Sequence, residues 1–263
     1  MPPVALTIAG SDPGGGAGIQ ADLKTFHQLG AYGTSAITLI TVQNTVRVAR
    51  VELLAPDLVA GQIHAVLSDL PPRAAKTGAL GSLEIVEAVA GALAGAAFPL
   101  VVDPVMISKH GAPLLDSEAL SGFRELLLPL ASLVMPNLHE AAALTGTPVT
   151  TVAEMREAAR RIAGLGPRAV LIKGGHLAGA AIDVLFSGGI VTEFESARFV
   201  TRHTHGTGCT YSAATAAYLA RGLGIDEAIR AAKTFITEAI RTAPGIGMGS
   251  GPVNHWAVTP DPL

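Results

Sequence analysis

Residues 4–26 read VALTIAGSDPGGGAGIQADLKTF, and this stretch decides the fold class. Val4 to Ala9 is a short apolar run, which predicts a buried strand. The glycine-rich segment from Gly10 to Gly18 predicts a loop, and the apolar spacing after it predicts a helix to about Leu29. A strand, a glycine loop and a helix in this order are typical of an α/β protein.

The same alternation of strands and helices continues along the chain. β-Branched and apolar runs predict strands, and apolar residues at helical spacing predict helices. The predicted strands are 34–43, 74–76, 98–105 (stopping at Asp103 and Pro104), 132–137, 168–175 and a hairpin over 181–196. The predicted helices are 56–70, 83–93, 117–128, 137–144, 151–165, 207–221 and 226–242. This order predicts a mostly parallel sheet covered on both faces, with 47–54 as a strand that leaves the sheet as a flap.

The composition limits the classes of protein to which the chain can belong. Of 263 residues, 49% are apolar and 15% are charged, so much of the chain must be buried. We find no linker, and we therefore expect one domain over residues 1–263. With 18 basic and 21 acidic residues the net charge is −3, which argues against nucleic acid or a membrane surface as the partner.

The cellular compartment is predicted from the cysteine count and from the apolar runs. A single cysteine excludes an intramolecular disulfide and fits a reducing compartment, and no secretion signal opens the chain. The longest charge-free apolar run, residues 88–102, has about 15 residues, whereas a membrane span needs roughly 20. These features predict a cytoplasmic protein in which this run forms a buried helix and a buried strand.

Polar and glycine-rich segments follow the predicted strands. Ligands of open α/β sheets bind beyond the carboxyl ends of the strands, so these segments predict the ligand site. They are Gly10–Gly18, Gln43–Asn44, Asp103, Asn137 and Lys173–His176.

The lone cysteine lies in the stretch HTHGTGCTYSAA, residues 203–214, two residues after Thr207. A glycine-rich turn that opens a helix leaves backbone N–H groups for an anion, and Gly206 and Gly208 let that anion approach closely. A thiol at such a helix start is expected to have a lowered pKa, which makes Cys209 a candidate proton acceptor. A small buried cysteine in a tightly packed helix is an equally good interpretation of this stretch alone.

The first glycine loop has three interpretations. A dinucleotide site would need a cleaner glycine fingerprint and an acidic residue at the end of the second strand, which the chain lacks. A plain strand–helix turn is the second. The third is a polar wall beside a small ligand, with Asp12 as its charged member.

Several stretches together resemble one family. They are IAGSDPGGGAGIQADLKTF, TLITVQNT, VVDPVM, MPNLHEA, LIKGGHL, THGTGCTYSAA and GPVNH, and they cover about residues 4–255. The chain resembles the hydroxymethylpyrimidine/phosphomethylpyrimidine kinases of thiamine biosynthesis, in the ribokinase-like superfamily. The resemblance implies a three-layer α/β/α fold and ATP-dependent phosphorylation of 4-amino-5-hydroxymethyl-2-methylpyrimidine to its monophosphate and then to its diphosphate. It also implies Mg²⁺ and a homodimer.

The resemblance also assigns the residues around the phosphates. The backbone from Gly206 to Cys209 would hold the transferred group, and Cys209 would accept the hydroxyl proton in the first step. The second acceptor is already an anionic phosphate, so that step should depend on the thiolate much less. The residues assigned to ATP are Asn137, Lys173, Thr207 and Gly208, and those assigned to Mg²⁺ are Asp103 and Glu140.

On the acceptor side, Gln43 resembles the residue that reads the pyrimidine, because an amide can donate to a ring nitrogen and accept from an amine. Lys109 would meet the phosphate of the second substrate. The remaining expected pocket residues are Gly10, Asp12, Ala17 and Ala79. The chain departs from the usual family pattern at Thr77 and Ala79, which change the expected pocket wall, and at His110 and His203.

Three other functions stay open. The nearest is a pyridoxine or pyridoxal kinase on the same scaffold, since the Gly-Thr-Gly-Cys turn admits both. A dinucleotide oxidoreductase would use the first glycine loop. A non-catalytic sensor of a vitamin precursor is the third, although it would need few of the residues Asp103, Glu140, Lys173 and Cys209.

Overall fold

The computed structural model defines one nine-stranded sheet with helices on both faces. It describes residues 1–107, 111, 114, 118–175, 177 and 179–262. The strands are β1 (Val4–Ser11), β2 (Tyr32–Gln43), β3 (Val48–Leu53), β4 (Ala74–Thr77), β5 (Leu100–Val102), β6 (Leu133–Val134), β7 (Ala169–Ile172), β8 (Ala181–Ser187) and β9 (Ile190–Ser196). The helices are α1 (Gly18–Gln28), α2 (Pro56–Asp69), α3 (Leu83–Ala92), α4 (Ala119–Gly122), α5 (Leu138–Thr145), α6 (Val152–Ala163), α7 (Thr207–Arg221) and α8 (Ile225–Arg241).

The strand order is β3-β2-β1-β4-β5-β6-β7-β8-β9. The five consecutive pairs from β2–β1 to β6–β7 are parallel. The pair β3–β2 at one edge and the pairs β7–β8 and β8–β9 at the other are antiparallel. The α/β class with a mostly parallel sheet is therefore confirmed, as is the hairpin over 181–196. The predicted flap is wrong: β3 does not leave the sheet, because it pairs with β2 as an antiparallel edge strand.

Two hydrophobic layers cover the sheet. One contains Leu6, Ile8 and Val102 from the strands and packs against α2 to α6, and the other contains Ala5 and Val101 and packs against α1, α7 and α8. Neighbouring strand residues thus enter opposite layers, as strand geometry requires. This burial on both faces explains why the inner strands are continuous apolar runs, and it gives the three-layer α/β/α arrangement.

The predicted helix over 117–128 is only partly regular. It comprises α4, one π-helical turn from Phe123 to Leu127 and a 3₁₀ turn from Leu128 to Leu130. Pro129 lacks an N–H group and cannot continue an α-helix, which accounts for the change at that end. Across the described part of the chain, no helix is both long enough and apolar enough to cross a membrane.

Candidate active site

One cavity of about 470 Å³ lies beyond the carboxyl ends of the central strands. It joins the glycine loop after β1, the end of β2, the segments after β5 and β7, and the start of α7. Its lining includes most of the site residues expected from the sequence: Gly10, Asp12, Ala17, Gln43, Ala79, Asp103, Asn137, Glu140, Lys173, Gly206, Thr207, Gly208 and Cys209. The topology thus brings together residues that are far apart in the sequence.

Two residues singled out in the sequence, Thr77 and His203, lie outside the cavity lining. Thr77 is fully buried and does not line the cavity, so the expectation that it forms the pocket wall is wrong. His203 is half-buried and also lies outside the lining, where its ring accepts from the Arg202 guanidinium at 3.4 Å. Lys109 and His110 lie outside the described residues, so the expected contact of Lys109 with the phosphate of the second substrate stays a prediction.

The start of α7 requires glycine. Gly206 has φ of +78°, in the left-handed region that favours glycine, and a Cβ there would collide with the carbonyl oxygen of Gly16. The two glycine-rich turns of the sequence therefore touch each other. The N–H of Thr207 donates to the carbonyl of Thr204 at 3.3 Å. The first N–H groups of a helix lack intrahelical acceptors, and Gly208 and Cys209 line the cavity, so the start of α7 is a candidate anion site.

A cation and a carboxylate lie beside this helix start. The Nζ atom of Lys173 donates to Oδ1 of Asp103 at 2.7 Å, and Ser212 Oγ donates to Oδ2 of Asp103 at 3.1 Å. A Cβ built on Gly208 would lie 3.4 Å from the Lys173 Nζ atom, which shows how close the lysine is to the turn. Burial alone would lower the pKa of Lys173, but the charges of Asp103 and Glu140 outweigh it and leave the pKa raised. Lys173 is therefore a cation at neutral pH.

Glu140 is held at the start of α5 by a capping box. Its Oε2 atom accepts from the Asn137 N–H at 2.7 Å, and its own N–H donates to Asn137 Oδ1 at 2.9 Å. Burial raises the pKa of Glu140 to about 7, against the opposing charge of Lys173. Burial outweighs Lys173 and the backbone N–H groups of Asn137 and Met106 that favour the carboxylate, so a divalent cation nearby would stabilise its ionised form.

The prediction of a low pKa for the Cys209 thiol is wrong. Burial raises the pKa of Cys209 to about 11, and the opposing charge of Lys76 does not overcome this effect. The nearby carboxylates of Asp22 and Asp103 raise it further. The sequence argument considered only the dipole of α7, whereas loss of hydration and two buried anions decide the outcome.

Asp12 organises the first glycine loop. Its Oδ1 atom accepts from the N–H of Gly14 at 2.8 Å, and its Oδ2 atom accepts from those of Gly16 and Ala17 at 3.1 and 2.9 Å. Burial would raise the pKa of Asp12, but the hydrogen bond and charge of His205, with these N–H groups, lower it. The Asp12 side chain is thus a carboxylate whose oxygens are committed to the loop.

His205 is a lining residue that the sequence analysis did not identify. Its Nε2 atom lies 2.8 Å from Asp12 Oδ2 and 3.2 Å from the Gln43 side-chain amide. The motif HTHG contains it two residues after His203, and the structure shows that His205, not His203, lines the cavity and contacts Asp12. No local pattern in the sequence distinguishes the two.

Comparisons with known proteins agree with this geometry. The family model described as phosphomethylpyrimidine kinase matches residues 12–254. A hydroxymethylpyrimidine/phosphomethylpyrimidine kinase of Synechococcus elongatus is 50% identical, over 97% of each chain. A thiamine biosynthesis bifunctional protein of Geobacter sulfurreducens is 51% identical over 97% of this chain, which spans only 53% of that longer protein.

Solved structures include both kinds of vitamin kinase. An ADP complex of Bacillus subtilis pyridoxal kinase superimposes with a TM-score of 0.90 and 40% identity, covering 98% of both chains. A phosphomethylpyrimidine kinase of Clostridium difficile superimposes with a TM-score of 0.81 and 46% identity, over 90% of this chain and 99% of the other. These relatives confirm the ribokinase-like fold, and the match over residues 12–254 shows that the chain belongs to the phosphomethylpyrimidine kinase family.

Proposed function

We propose that this protein phosphorylates 4-amino-5-hydroxymethyl-2-methylpyrimidine with ATP and then phosphorylates the monophosphate to the diphosphate, in thiamine biosynthesis. One observation carries the proposal. A single cavity joins an amide that can read a heteroaromatic ring, Gln43, to a helix start that can hold a phosphoryl group, Gly206 to Cys209. The names of the 44–50% identical relatives that are hydroxymethylpyrimidine/phosphomethylpyrimidine kinases supply the substrate and both steps.

The phosphoryl group is held by backbone rather than by side chains. The N–H groups at the start of α7 donate to its oxygens while charge moves toward the leaving ADP. Gly206 and Gly208 carry no Cβ that would keep the anion away. Lys173 neutralises the ATP phosphates from the adjacent strand end, and Asp103 holds its ammonium in place at 2.7 Å. Asn137 and Thr207 complete the ATP side of the cavity.

Asp103 and Glu140 are the residues that would orient Mg²⁺. Mg²⁺ takes few protein ligands and keeps several waters, which fits two carboxylates at the edge of a cavity better than a closed cage. Among the described residues, no group of three or more histidine, cysteine or acidic side chains is placed to hold a metal. Mg²⁺ supplies charge neutralisation at the phosphates.

Cys209 is the proposed proton acceptor for the substrate hydroxyl. With a thiol pKa of about 11, most molecules at neutral pH carry the protonated form, and the reactive thiolate is a minor species. The positive charge of Lys76 favours that thiolate. The second phosphorylation has an anionic acceptor with no proton to remove, so it does not need the thiolate.

The proposal also covers the domain organisation, the oligomeric state and the cellular compartment. Residues 1–263 act as one kinase domain, supported by the single continuous sheet. The protein works as a homodimer, supported by the exposed apolar side chains of Ile40, Val42 and Leu53 on β2 and the edge strand β3. It works in the cytoplasm, where ATP is supplied and the lone cysteine stays reduced, and the net charge of −3 offers no attraction for nucleic acid or membranes.

A pyridoxal kinase is the second candidate, because pyridoxal kinases of Bacillus subtilis and Staphylococcus aureus superimpose with TM-scores of 0.90. The deciding experiment incubates the purified protein with ATP, Mg²⁺ and either alcohol, and separates the products by anion exchange. We expect the pyrimidine alcohol to give monophosphate and then diphosphate, with a higher kcat/KM than pyridoxal. Faster turnover of pyridoxal, or a product that stops at the monophosphate, would reverse the order of the two candidates.

A further inference from the structure

A buried ion pair between β8 and α8 lies close to the cavity without lining it. The Nζ atom of Lys233 donates to Asp183 Oδ2 at 2.7 Å and to the carbonyl oxygen of Ala181 at 3.1 Å. Both charged side chains are buried, and neither belongs to the cavity lining. An ion pair that is taken out of water adds little net stability, because lost hydration offsets the attraction. Its position, beside the strand that leads to Lys173, gives the better explanation.

The backbone pairing between β7 and β8 ends one residue before Lys173. Its last pair is Ile172 with Val184, and the same register places Asp183 opposite Lys173. Beyond this pairing, the N–H of Gly174 donates to Asp183 Oδ1 at 2.9 Å. A side chain thus replaces the backbone acceptor that a longer strand would supply. Asp183 therefore holds the backbone immediately after Lys173.

The backbone at Lys173 is held from both sides of its strand. On the β6 side, the Lys173 N–H donates to the carbonyl oxygen of Pro136 at 2.8 Å. On the β8 side, a Cβ on Gly174 would collide with the carbonyl oxygen of Ile182, so only glycine lets the chain approach β8 this closely. These contacts on the two sides determine the direction in which the Lys173 side chain leaves the sheet.

The two acidic side chains near Lys173 have separate lysine partners. Strand alternation puts Lys173 on the same face as Leu171, which packs in the layer with α7 and α8. Asp183 reaches that layer too, since it pairs with Lys233 of α8. Residues opposite each other on antiparallel strands are close enough to interact, so an unpaired Asp183 could capture the Lys173 ammonium. Lys233 occupies Asp183 instead, and Lys173 pairs with Asp103 at the cavity.

We propose that Asp183 is a positioning residue: its Oδ1 atom fixes the backbone after Lys173 while Lys233 takes up its charge, so that the Lys173 ammonium is presented to the phosphates of ATP. The inference rests on the proposed function for the use of ATP. Without the Gly174 contact the lysine can shift, and a misplacement of about 1 Å can cost about 100-fold in rate. A merely structural role would lower stability and leave the kcat of folded protein unchanged.

Two matched double variants test this role. Asp183→Asn/Lys233→Met keeps a side-chain oxygen that can accept from the Gly174 N–H, whereas Asp183→Leu/Lys233→Met has nearly the same shape without an acceptor. Both remove the two charges together, so neither leaves a buried ion uncompensated. We expect kcat for the first phosphorylation to stay within about threefold of wild type in the asparagine variant and to fall about 10–100-fold in the leucine variant. KM for the alcohol should change little in either.

The controls separate positioning from general damage. Arg156→Met/Glu193→Gln removes a partly exposed ion pair between α6 and β9, and it should leave kcat unchanged. Urea unfolding gives the stability of each variant, and kcat is taken per folded molecule. Equal kcat in the two double variants, with lower stability in the leucine variant alone, would show a purely structural role and overturn the inference.

ADP binding, measured by calorimetry with Mg²⁺, takes the place of kcat if the pyrimidine alcohol is not phosphorylated. We expect the Kd for ADP to rise about tenfold in the leucine variant and to stay near wild type in the asparagine variant, as the loss of one contact with a charged group predicts. That order without turnover would contradict the proposed function alone. In that case, equal Kd values in the two variants, or no ADP binding by the wild type, would overturn the inference.

A measurement on the wild-type protein keeps the inference testable if the leucine variant does not fold. Amide hydrogen exchange, followed by NMR, reports whether the Gly174 N–H has an acceptor in the ligand-free protein. We expect slow exchange at Gly174, although it lies beyond the end of β7. Exchange as fast as in an open loop would show that Asp183 does not hold this backbone, and the inference would fall.

Discussion

Two lysine–aspartate pairs differ in their access to the cavity: Lys76 on β4 pairs with Asp22 on α1, and Lys173 after β7 pairs with Asp103 after β5. In the sealed pair, Lys76 Nζ donates to both oxygens of Asp22, at 3.1 and 3.0 Å, and both side chains are 0% exposed. In the open pair, Lys173 Nζ donates to Asp103 at 2.7 Å, and the Lys173 side chain is 12% exposed. Only the open pair lines the cavity.

The difference separates an ion pair that acts on the site only through its charge, on Cys209, from one that can also contact a ligand. The sealed pair is completed within the protein, since Thr7 Oγ1 also donates to Asp22 at 2.6 Å. Both Asp22 oxygens thus have partners inside the protein, although burial outweighs them and leaves the pKa of Asp22 raised. Lys173 has three N–H groups and faces an anion site, so ATP phosphates can share its charge with Asp103. Burial alone therefore does not identify a catalytic cation; access to the cavity does.

The largest expected effect is on stability, in Lys76→Met. This variant leaves the Asp22 carboxylate buried without its cation, which costs about 3–5 kcal/mol of the free energy of unfolding. Urea unfolding followed by circular dichroism measures the loss. The double variant Lys76→Met/Asp22→Leu should recover most of it, because an apolar pair of similar size removes the uncompensated charge. A Lys76→Met protein with unchanged free energy of unfolding and lost activity would show that the sealed pair serves catalysis rather than stability.

The next effect is on catalysis, in Lys173→Met. We expect kcat for both phosphorylations to fall by roughly 10²–10³, the range for loss of one group that stabilises transition-state charge. The free energy of unfolding should fall less than in Lys76→Met, because Asp103 gains water through the cavity. Arg241→Met removes a cation from an exposed ion pair on α8 and serves as the control, with unchanged kcat. Unchanged kcat in Lys173→Met would show that the open pair has no role in catalysis.

Charges from both pairs act on the Cys209 thiol. The variant Cys209→Ala tests whether its sulfur accepts a proton. General-base catalysis contributes about 10²–10⁴ in rate, so we expect the first phosphorylation to fall at least tenfold. The second should fall less, because its acceptor is already ionised. Single-turnover assays with the alcohol and with its monophosphate measure the two steps separately. Equal losses in both would contradict the proton transfer and leave only a role in shaping the helix start.

The pH dependence of the first step follows from the same thiol. Burial raises the pKa of Cys209 to about 11, so below that value the thiolate fraction increases about tenfold with each pH unit. We expect kcat for the first phosphorylation to rise between pH 7 and 9, and the rise to disappear in Cys209→Ala. The second step serves as the internal control and should lack it. A flat profile for the wild-type first step would show that another group takes the proton.

The smallest effect is expected from Gln43→Leu, which lies on the acceptor side, away from both pairs. Loss of one neutral hydrogen bond should raise KM for the alcohol by about tenfold or less. KM for ATP and the free energy of unfolding should stay near their wild-type values. Steady-state kinetics with each substrate varied in turn measures this difference. An unchanged KM for the alcohol would show that Gln43 does not bind it.

Much of the site could be predicted because its signals are local. The spacing of Asn137 and Glu140 is that of a capping box, and the structure forms it. The turn before Cys209 begins a helix at Thr207 as expected, with Gly206 in the left-handed region. Such features depend on residues within one helical turn, and a sequence displays them directly.

The sequence by itself determined the order of strands and helices, the burial of the sheet on both faces and the polar segments at the strand ends. Tertiary structure alone decided that β3 stays in the sheet, that His205 rather than His203 reaches Asp12 193 residues away, and that Lys76 pairs with Asp22 54 residues away. It also reversed the predicted shift in the pKa of Cys209. The physical reason is that periodicity and capping arise from neighbouring residues, whereas charge compensation and desolvation depend on which distant segments the strand order brings together.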